Sequence, residues 1–166
     1  MKLGFRIEVA ATISTAQNIT ETGRIADQLR RLYDGPSWLG PTATEIIQDI
    51  DEAAARRRTL AHAHTIWELV LHIAAWLRIA RDRLTATELR DVGEAENWPP
   101  MEGSWEEAKS SLETEVHALG QAILNFPEKR LEEQAPAPEA QTFYQLLHGV
   151  IQHSAYHAGQ IALLKK

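Results

Sequence analysis

The sequence predicts an all-α protein, a bundle of four main helices. Four segments of the 166-residue chain carry apolar residues at the three- and four-residue spacing of a helix that packs one face against a core. Three of these segments open with Ser or Thr followed three residues later by Glu or Gln. This is the capping box, which satisfies free backbone amides at a helix start. No strand-turn-strand repeat is present. The pattern therefore favours long helices joined by loops rich in proline and glycine.

The first helix is predicted over residues 19–33. Asn18 is its expected N-cap, and Glu21 places a negative charge in the first turn, where the helix dipole favours it. The helix should end at the Asp-Gly-Pro sequence of residues 34–36, because proline cannot continue it. Beyond that point, apolar residues that share one face predict one short extra helix within residues 41–58.

The other three long helices each begin at a capping box. They are predicted over residues 66–84, over residues 105–125 and from residue 143 to the chain end. Their boxes pair Thr65 with Glu68, Ser104 with Glu107, and Thr142 with Gln145. Two long loops that contain prolines, residues 93–103 and 127–139, lie before the third and the fourth long helix.

Composition narrows the range of functions. The chain has 17 basic and 23 acidic residues, a net charge of −6, and no basic face to displace counterions from nucleic-acid phosphates. No apolar stretch approaches the ~18 residues that cross a bilayer. Because the sequence has no cysteine, thiolate ligands and a sulfur nucleophile of its own are excluded. We therefore expect neither a nucleic acid nor a membrane as partner.

Residues 18–166 are expected to form one domain, preceded by an arm or tail of residues 1–17. Glu8 interrupts the apolar run near the start, which argues against a signal peptide, so a cytoplasmic protein is the default expectation. The apolar residues of the last helix cover more than one face, and this predicts a homodimer. These residues are Leu147, Ile151, Ile161 and Leu163.

The last helix carries His153 and His157 one turn apart on an apolar face. Side chains at i and i+4 project from the same side of a helix, so two imidazoles can converge on one metal ion. The alternative is a pair of core or interface histidines that are hydrogen-bonded to neighbours, since a buried group without partners costs about 1–3 kcal/mol. His72 lies in a second apolar helical stretch and is a candidate third ligand.

Two further polar side chains are candidate catalytic residues. Glu68 precedes His72 by one turn and could touch a metal, its water or an imidazole, although its capping box already accounts for it. Gln160 follows His153 by seven residues on the same face and could be a hydrogen-bond donor to a ligand; a hydrogen bond between helices is the alternative. Four aromatic residues are candidates either for a pocket wall or for the core: Trp76, Trp98, Trp105 and Tyr156.

At these residues the chain resembles the DinB/YfiT-like superfamily of four-helix-bundle proteins. The resemblance rests on residues 64–76 (HTIWELVLHIAAW) and 148–161 (HGVIQHSAYHAGQI), and it extends over about residues 19–166. It implies an up-down-down-up bundle with a long crossover after the second helix. It also implies a divalent metal, often nickel or zinc, held by His72, His153 and His157.

Members of this superfamily with known activity include transferases that use low-molecular-weight thiols and a thiol-dependent isomerase, and others resemble metal-dependent hydrolases. The resemblance therefore implies a metal-dependent enzyme that activates a water or a low-molecular-weight thiol, a thiol S-transferase or a hydrolase. The absence of cysteine is compatible with a thiol that arrives as cosubstrate. Two alternatives stay open: a non-catalytic, metal-stabilised stress-response domain, and a bundle whose histidines are satisfied without metal.

Overall fold

The computed structural model describes residues 20–166, and this part of the chain is all-helical. It contains seven α-helices, one 3-10 helix at Glu128–Arg130 and no strand. The α-helices are α1 (Glu21–Asp34), α2 (Ala43–Ile47), α3 (Glu52–Arg56), α4 (Ile66–Arg83), α5 (Glu94–Asn97), α6 (Trp105–Asn125) and α7 (Phe143–Leu164). The predicted arm or tail of residues 1–17 lies outside the described residues.

The three predicted capping boxes are confirmed. At the start of α4 the Thr65 hydroxyl accepts the backbone amide of Glu68 at 3.1 Å, and the Glu68 carboxylate accepts the amide of Thr65 at 2.7 Å. The same reciprocal pairing opens α6 and α7. Each of these helices begins at its predicted residue, because the box is a short-range pattern that neighbouring residues complete by themselves.

The start of α1 differs from the prediction. Its N-cap is Thr20, whose hydroxyl accepts the amide of Gly23 at 3.1 Å, and not Asn18. The helix therefore begins at Glu21 rather than at residue 19. Asn and Thr offer the same kind of side-chain oxygen to a free amide, so the sequence Asn-Ile-Thr holds two competing caps two residues apart.

The single extra helix predicted within residues 41–58 is wrong, since α2 and α3 are two separate helices. Asp51 divides them: its carboxylate accepts the amide of Ala54 at 2.8 Å and caps α3. Aspartate competes for backbone amides and therefore prefers a cap to a helix interior. Residues 93–103, predicted as a loop, also contain the single helical turn α5.

Four long helices enclose the core. Both α1 and α4 contact α6 and α7, so the apolar faces of all four meet in one cluster. Trp67 of α4 and Trp105 of α6 are fully buried there, with ring centroids 5.7 Å apart. Trp105 also donates its indole N–H to the carbonyl of Ile50 at 2.6 Å. Truncation of a buried tryptophan to alanine costs about 3–5 kcal/mol, so this pair anchors α4 to α6.

The helix α7 buries part of the surface that predicted a homodimer. Leu147 and Ile161 pack inside the chain itself, whereas Leu163 is 71% exposed. Ile151 is partly buried against the core. Of the four residues that predicted a dimer, Leu163 is therefore the one that is largely exposed. Of the helices within residues 20–166, none is both long enough and apolar enough to cross a membrane.

Candidate metal centre

The three predicted ligands meet between α4 and α7. Nε2 of His153 lies 3.0 Å from Nε2 of His72 and 3.0 Å from Nε2 of His157. His153 and His157 share a face because they are one turn apart on α7, and α4 brings His72 to them from 81 residues away in the sequence. One ligand atom from each side chain lies within 4.8 Å of the others, which is compact enough to hold one metal ion.

Backbone and amide oxygens fix the orientation of two of these rings. Nδ1 of His72 lies 2.6 Å from the carbonyl oxygen of Asn97, and Nδ1 of His157 lies 2.6 Å from Oε1 of Gln160. An oxygen acceptor requires the proton to be on Nδ1, so Nε2 of each ring carries a lone pair. Both lone pairs therefore face Nε2 of His153.

The hydrogen bonding of His153 indicates whether the cluster suits a metal. Its Nδ1 is buried and has no hydrogen-bond partner among residues 20–166. A proton on Nε2 of His153 could bond to only one of the two lone pairs that face it and would leave the other unpaired. A divalent cation accepts all three nitrogen lone pairs at once, so the donor set fits a metal better than it fits a hydrogen-bonded cluster.

Electrostatics keep these imidazoles neutral. Burial lowers the pKa of each of the three rings, and the neighbouring histidines lower it further. For His153, burial together with His157 and His72 lowers the pKa to about 4. Metal binding needs the unprotonated ring, so the surroundings prepare the ligands for a cation at neutral pH.

Aromatic rings cover one side of the cluster. Trp98 stacks on His72 with ring centroids 3.8 Å apart, and it also stacks on His64 at 3.5 Å. Trp76 donates its indole N–H to the side chain of Asn97 at 2.9 Å and lies 5.6 Å from the ring of His153. Residues 97 and 98, at the end of α5, thus contact the histidine cluster by a hydrogen bond and by stacking.

The two candidate catalytic residues lie in different surroundings. Gln160 contacts His157, with its amide oxygen accepting rather than donating the hydrogen bond. The carboxylate of Glu68 is bound by Arg58, at 2.8 Å and 3.1 Å, and by the amide of Thr65. Although burial opposes the change, these hydrogen bonds lower the pKa of Glu68. The oxygen atoms of the Glu68 carboxylate are therefore already engaged in hydrogen bonds at the start of α4.

The sequence left open whether the four aromatic candidates line a pocket or pack in the core, and the structure places them in different surroundings. Trp76 and Trp98 lie against the histidines, Trp105 lies in the core, and Tyr156 is 65% exposed beside His157. Asn97 was missed altogether. It contributes its backbone carbonyl to His72, and every residue type carries that atom, so no residue pattern could have signalled this contact.

Comparison with known proteins adds one match. The sequence model described as the DinB superfamily matches residues 40–161. That range contains His72, His153 and His157 together with the Asn97 and Trp98 that contact them. No curated protein and no solved structure matches the chain.

Proposed function

The chain belongs to the DinB superfamily, and on that basis we propose that it binds a divalent metal and uses it to activate a water or a low-molecular-weight thiol on a small-molecule substrate. One observation carries the proposal: three Nε2 atoms converge, and two of them are already committed as lone-pair donors by Asn97 and Gln160. Nickel or zinc is the proposed ion, since imidazole nitrogen suits both.

In this proposal each residue of the site has a separate task. His72, His153 and His157 would hold the ion through Nε2. When bound, a divalent ion with three neutral ligands supplies Lewis-acid chemistry, lowering the pKa of a water or thiol at an open coordination position. Asn97 and Gln160 keep the rings of His72 and His157 in the tautomer and orientation that binding requires.

The reaction class follows from what the chain lacks and what it offers. Because the sequence has no cysteine, the sulfur of a thiol S-transferase would arrive on the cosubstrate. A hydrolase would need only water. The neutral histidines serve either reaction, and we propose that the protein is one of these two enzyme types.

A second candidate is a non-catalytic, metal-stabilised stress-response domain. The observation that favours it is the state of Glu68, the acidic side chain expected near the site. Arg58 and Thr65 already bind its carboxylate, so it is a poor candidate for a general base. In this alternative the ion would stabilise the contact between α4 and α7 and would take no part in chemistry.

Three further features belong to the proposal. We propose the up-down-down-up order for the long helices α1, α4, α6 and α7, supported by the contacts of α1 and α4 with both α6 and α7. A homodimer through α7 and a cytoplasmic location stay predictions. Sedimentation at micromolar concentration tests the dimer, and a single species with the mass of one chain would contradict it.

The first experiment is metal analysis by mass spectrometry on protein purified without a nickel column. We expect about one zinc or nickel ion per chain in the wild type and none in His153→Ala. His117→Ala is the matched control, because His117 is an exposed histidine of α6 and should keep the ion. Absence of metal after incubation with both ions would overturn the proposal.

The second experiment separates the two candidate functions. Metal-loaded protein is assayed with low-molecular-weight thiols plus electrophiles and with hydrolysable small molecules. Turnover that disappears in His153→Ala supports the enzyme. Full metal occupancy, strong destabilisation on chelation and no turnover would support the metal-stabilised domain instead.

A further inference from the structure

Arg83, at the C-terminal end of α4, is a charged residue that the core partly encloses. It is only 7% exposed. Within residues 20–166 its guanidinium makes neither a hydrogen bond nor an ion pair. Burial lowers its pKa, as expected for a cation removed from water. The stem of Arg83 is enclosed, whereas the guanidinium nitrogens, which carry five N–H donors in a planar fork, reach water.

Two neighbouring arginines, Arg81 and Arg90, are committed to carboxylates. Arg81 is paired with Glu115 and Asp82. Arg90 forms two hydrogen bonds with Glu96, at 2.6 Å and 2.7 Å. Arg83 is more buried than either of them and is the one whose donors are uncommitted.

The side chain of Arg83 lines a cavity of about 60 Å³. A single water needs roughly 10–15 Å³ measured in the same way, so the cavity has room for several waters or for a small oxyanion. Its other lining residues include Asp82, Glu88, Arg90 and Pro136. Because Arg90 is paired with Glu96, Arg83 is the available cation of the cavity. Of the two acidic lining residues, Asp82 is paired with Arg81, and Glu88 is a second carboxylate that can compete with a bound anion.

We propose that Arg83 binds the carboxylate of a small organic acid in this cavity. A carboxylate matches the guanidinium fork with two parallel hydrogen bonds and supplies a negative charge to a cation that forms no ion pair within residues 20–166. The protein thus has an anion subsite in addition to its histidine cluster.

The subsite lies close to the candidate metal centre. The guanidinium carbon of Arg83 is 5.9 Å from the ring of Trp76, and that ring is 5.6 Å from the ring of His153. Arg83 and His153 are therefore both neighbours of the same indole ring. The inference that the bound acid is also the substrate rests on the proposed function, whereas carboxylate binding at Arg83 does not.

Glu139 is the internal competitor for Arg83. The charge of Glu139 acts to raise the pKa of Arg83, and its effect is larger than the effects of Arg90 and Glu96. Glu139 is nevertheless exposed and forms no ion pair with Arg83. If Glu139 were the counterion in solution, Glu139→Gln and Arg83→Met would each destabilise the protein, and their effects would not add. If an external acid is the counterion, Glu139→Gln leaves acid binding unchanged or strengthens it.

The test is a titration of the full-length, chelator-treated protein with sodium succinate at constant ionic strength. Binding is followed by the NMR signals of the arginine Nε–H groups. We expect a saturable shift of the Arg83 signal and binding at least about tenfold weaker in Arg83→Met. Arg90→Gln is the matched control, because Arg90 lines the same cavity but is paired with Glu96. The affinity of this variant for succinate should differ from that of the wild type by less than about threefold.

Two further measurements accompany the titration, and three results would overturn the proposal. Without succinate, Arg83→Met should melt no lower than the wild type, because methionine keeps the apolar stem and the guanidinium forms no ion pair within residues 20–166. His153→Ala should bind succinate as the wild type does, so that failure of the metal proposal and failure of this one are distinguishable. A missing Arg83 shift, non-additive destabilisation with Glu139→Gln, or inorganic phosphate binding more tightly than succinate would each overturn the proposal.

Discussion

The indole ring of Trp98 lies flat on the imidazole of His72, with ring centroids 3.8 Å apart and planes inclined by only 9°. The residue before it, Asn97, accepts the Nδ1 proton of the same imidazole. Trp98 therefore restrains the face of the His72 ring by stacking, and Asn97 restrains its Nδ1 edge by the hydrogen bond. These two residues are consecutive and lie at the end of α5. A single helical turn in a loop thus controls the orientation of a candidate metal ligand.

Replacing Trp98 should weaken metal retention without destroying the site. In Trp98→Ala the ring of His72 loses its stacking partner but keeps its hydrogen bond, so we expect metal affinity to fall about tenfold. Competition with a chromogenic chelator measures this. Trp38→Ala is the control, since Trp38 is fully exposed. Equal affinity in Trp98→Ala and the wild type would show that stacking does not support the ligand.

Gln160 should act through the orientation of His157. Gln160→Leu removes the acceptor for Nδ1, and loss of such a partner typically lowers metal affinity about 10–100-fold. Gln160→Glu keeps an oxygen acceptor and should retain most of the affinity. Isothermal titration of zinc into both variants distinguishes them. If the two variants bound zinc equally, the hydrogen bond would have no role in metal binding.

The metal-free protein should lose stability as the pH falls below neutrality. The pKa of His153 is about 4 in the folded state, compared with about 6.5 when unfolded. Between these values the unfolded chain binds more protons, so the contribution of neutral His153 is complete above about pH 6.5 and declines towards pH 4. Urea unfolding at pH 7, 6 and 5 measures the slope. It should be shallower in His153→Leu, and equal slopes would contradict the assignment.

Glu68 should matter more for stability than for metal binding. Glu68→Ala breaks the capping box with Thr65 and the ion pair with Arg58, and we expect the free energy of unfolding to fall by about 1 kcal/mol. Metal content should not change. Glu107→Ala, which breaks the capping box of α6, is the control for a purely structural effect. Turnover lost in Glu68→Ala but kept in Glu107→Ala, at equal metal content, would make Glu68 catalytic.

Short-range patterns explain why much of the fold could be predicted. The starts of α4, α6 and α7 are encoded by pairs of residues three apart, whose side chains and amides satisfy one another without help from the rest of the chain. Where two caps compete, as at the start of α1, the same rules leave the boundary open by two residues. Asp51 shows a second limit, since a single residue that prefers a cap divided one predicted helix into two.

By itself, then, the sequence determined the four long helices and the pairing of His153 with His157, because both depend on residues within one or two turns of each other. Only the tertiary structure decided that His72 meets this pair, that the Asn97 carbonyl holds His72, and that the stem of Arg83 is enclosed while its guanidinium forms no ion pair within residues 20–166. These contacts join elements far apart in the chain, and one of them uses a backbone atom that every residue carries. Packing of whole helices sets them, and no local pattern of side chains records that packing.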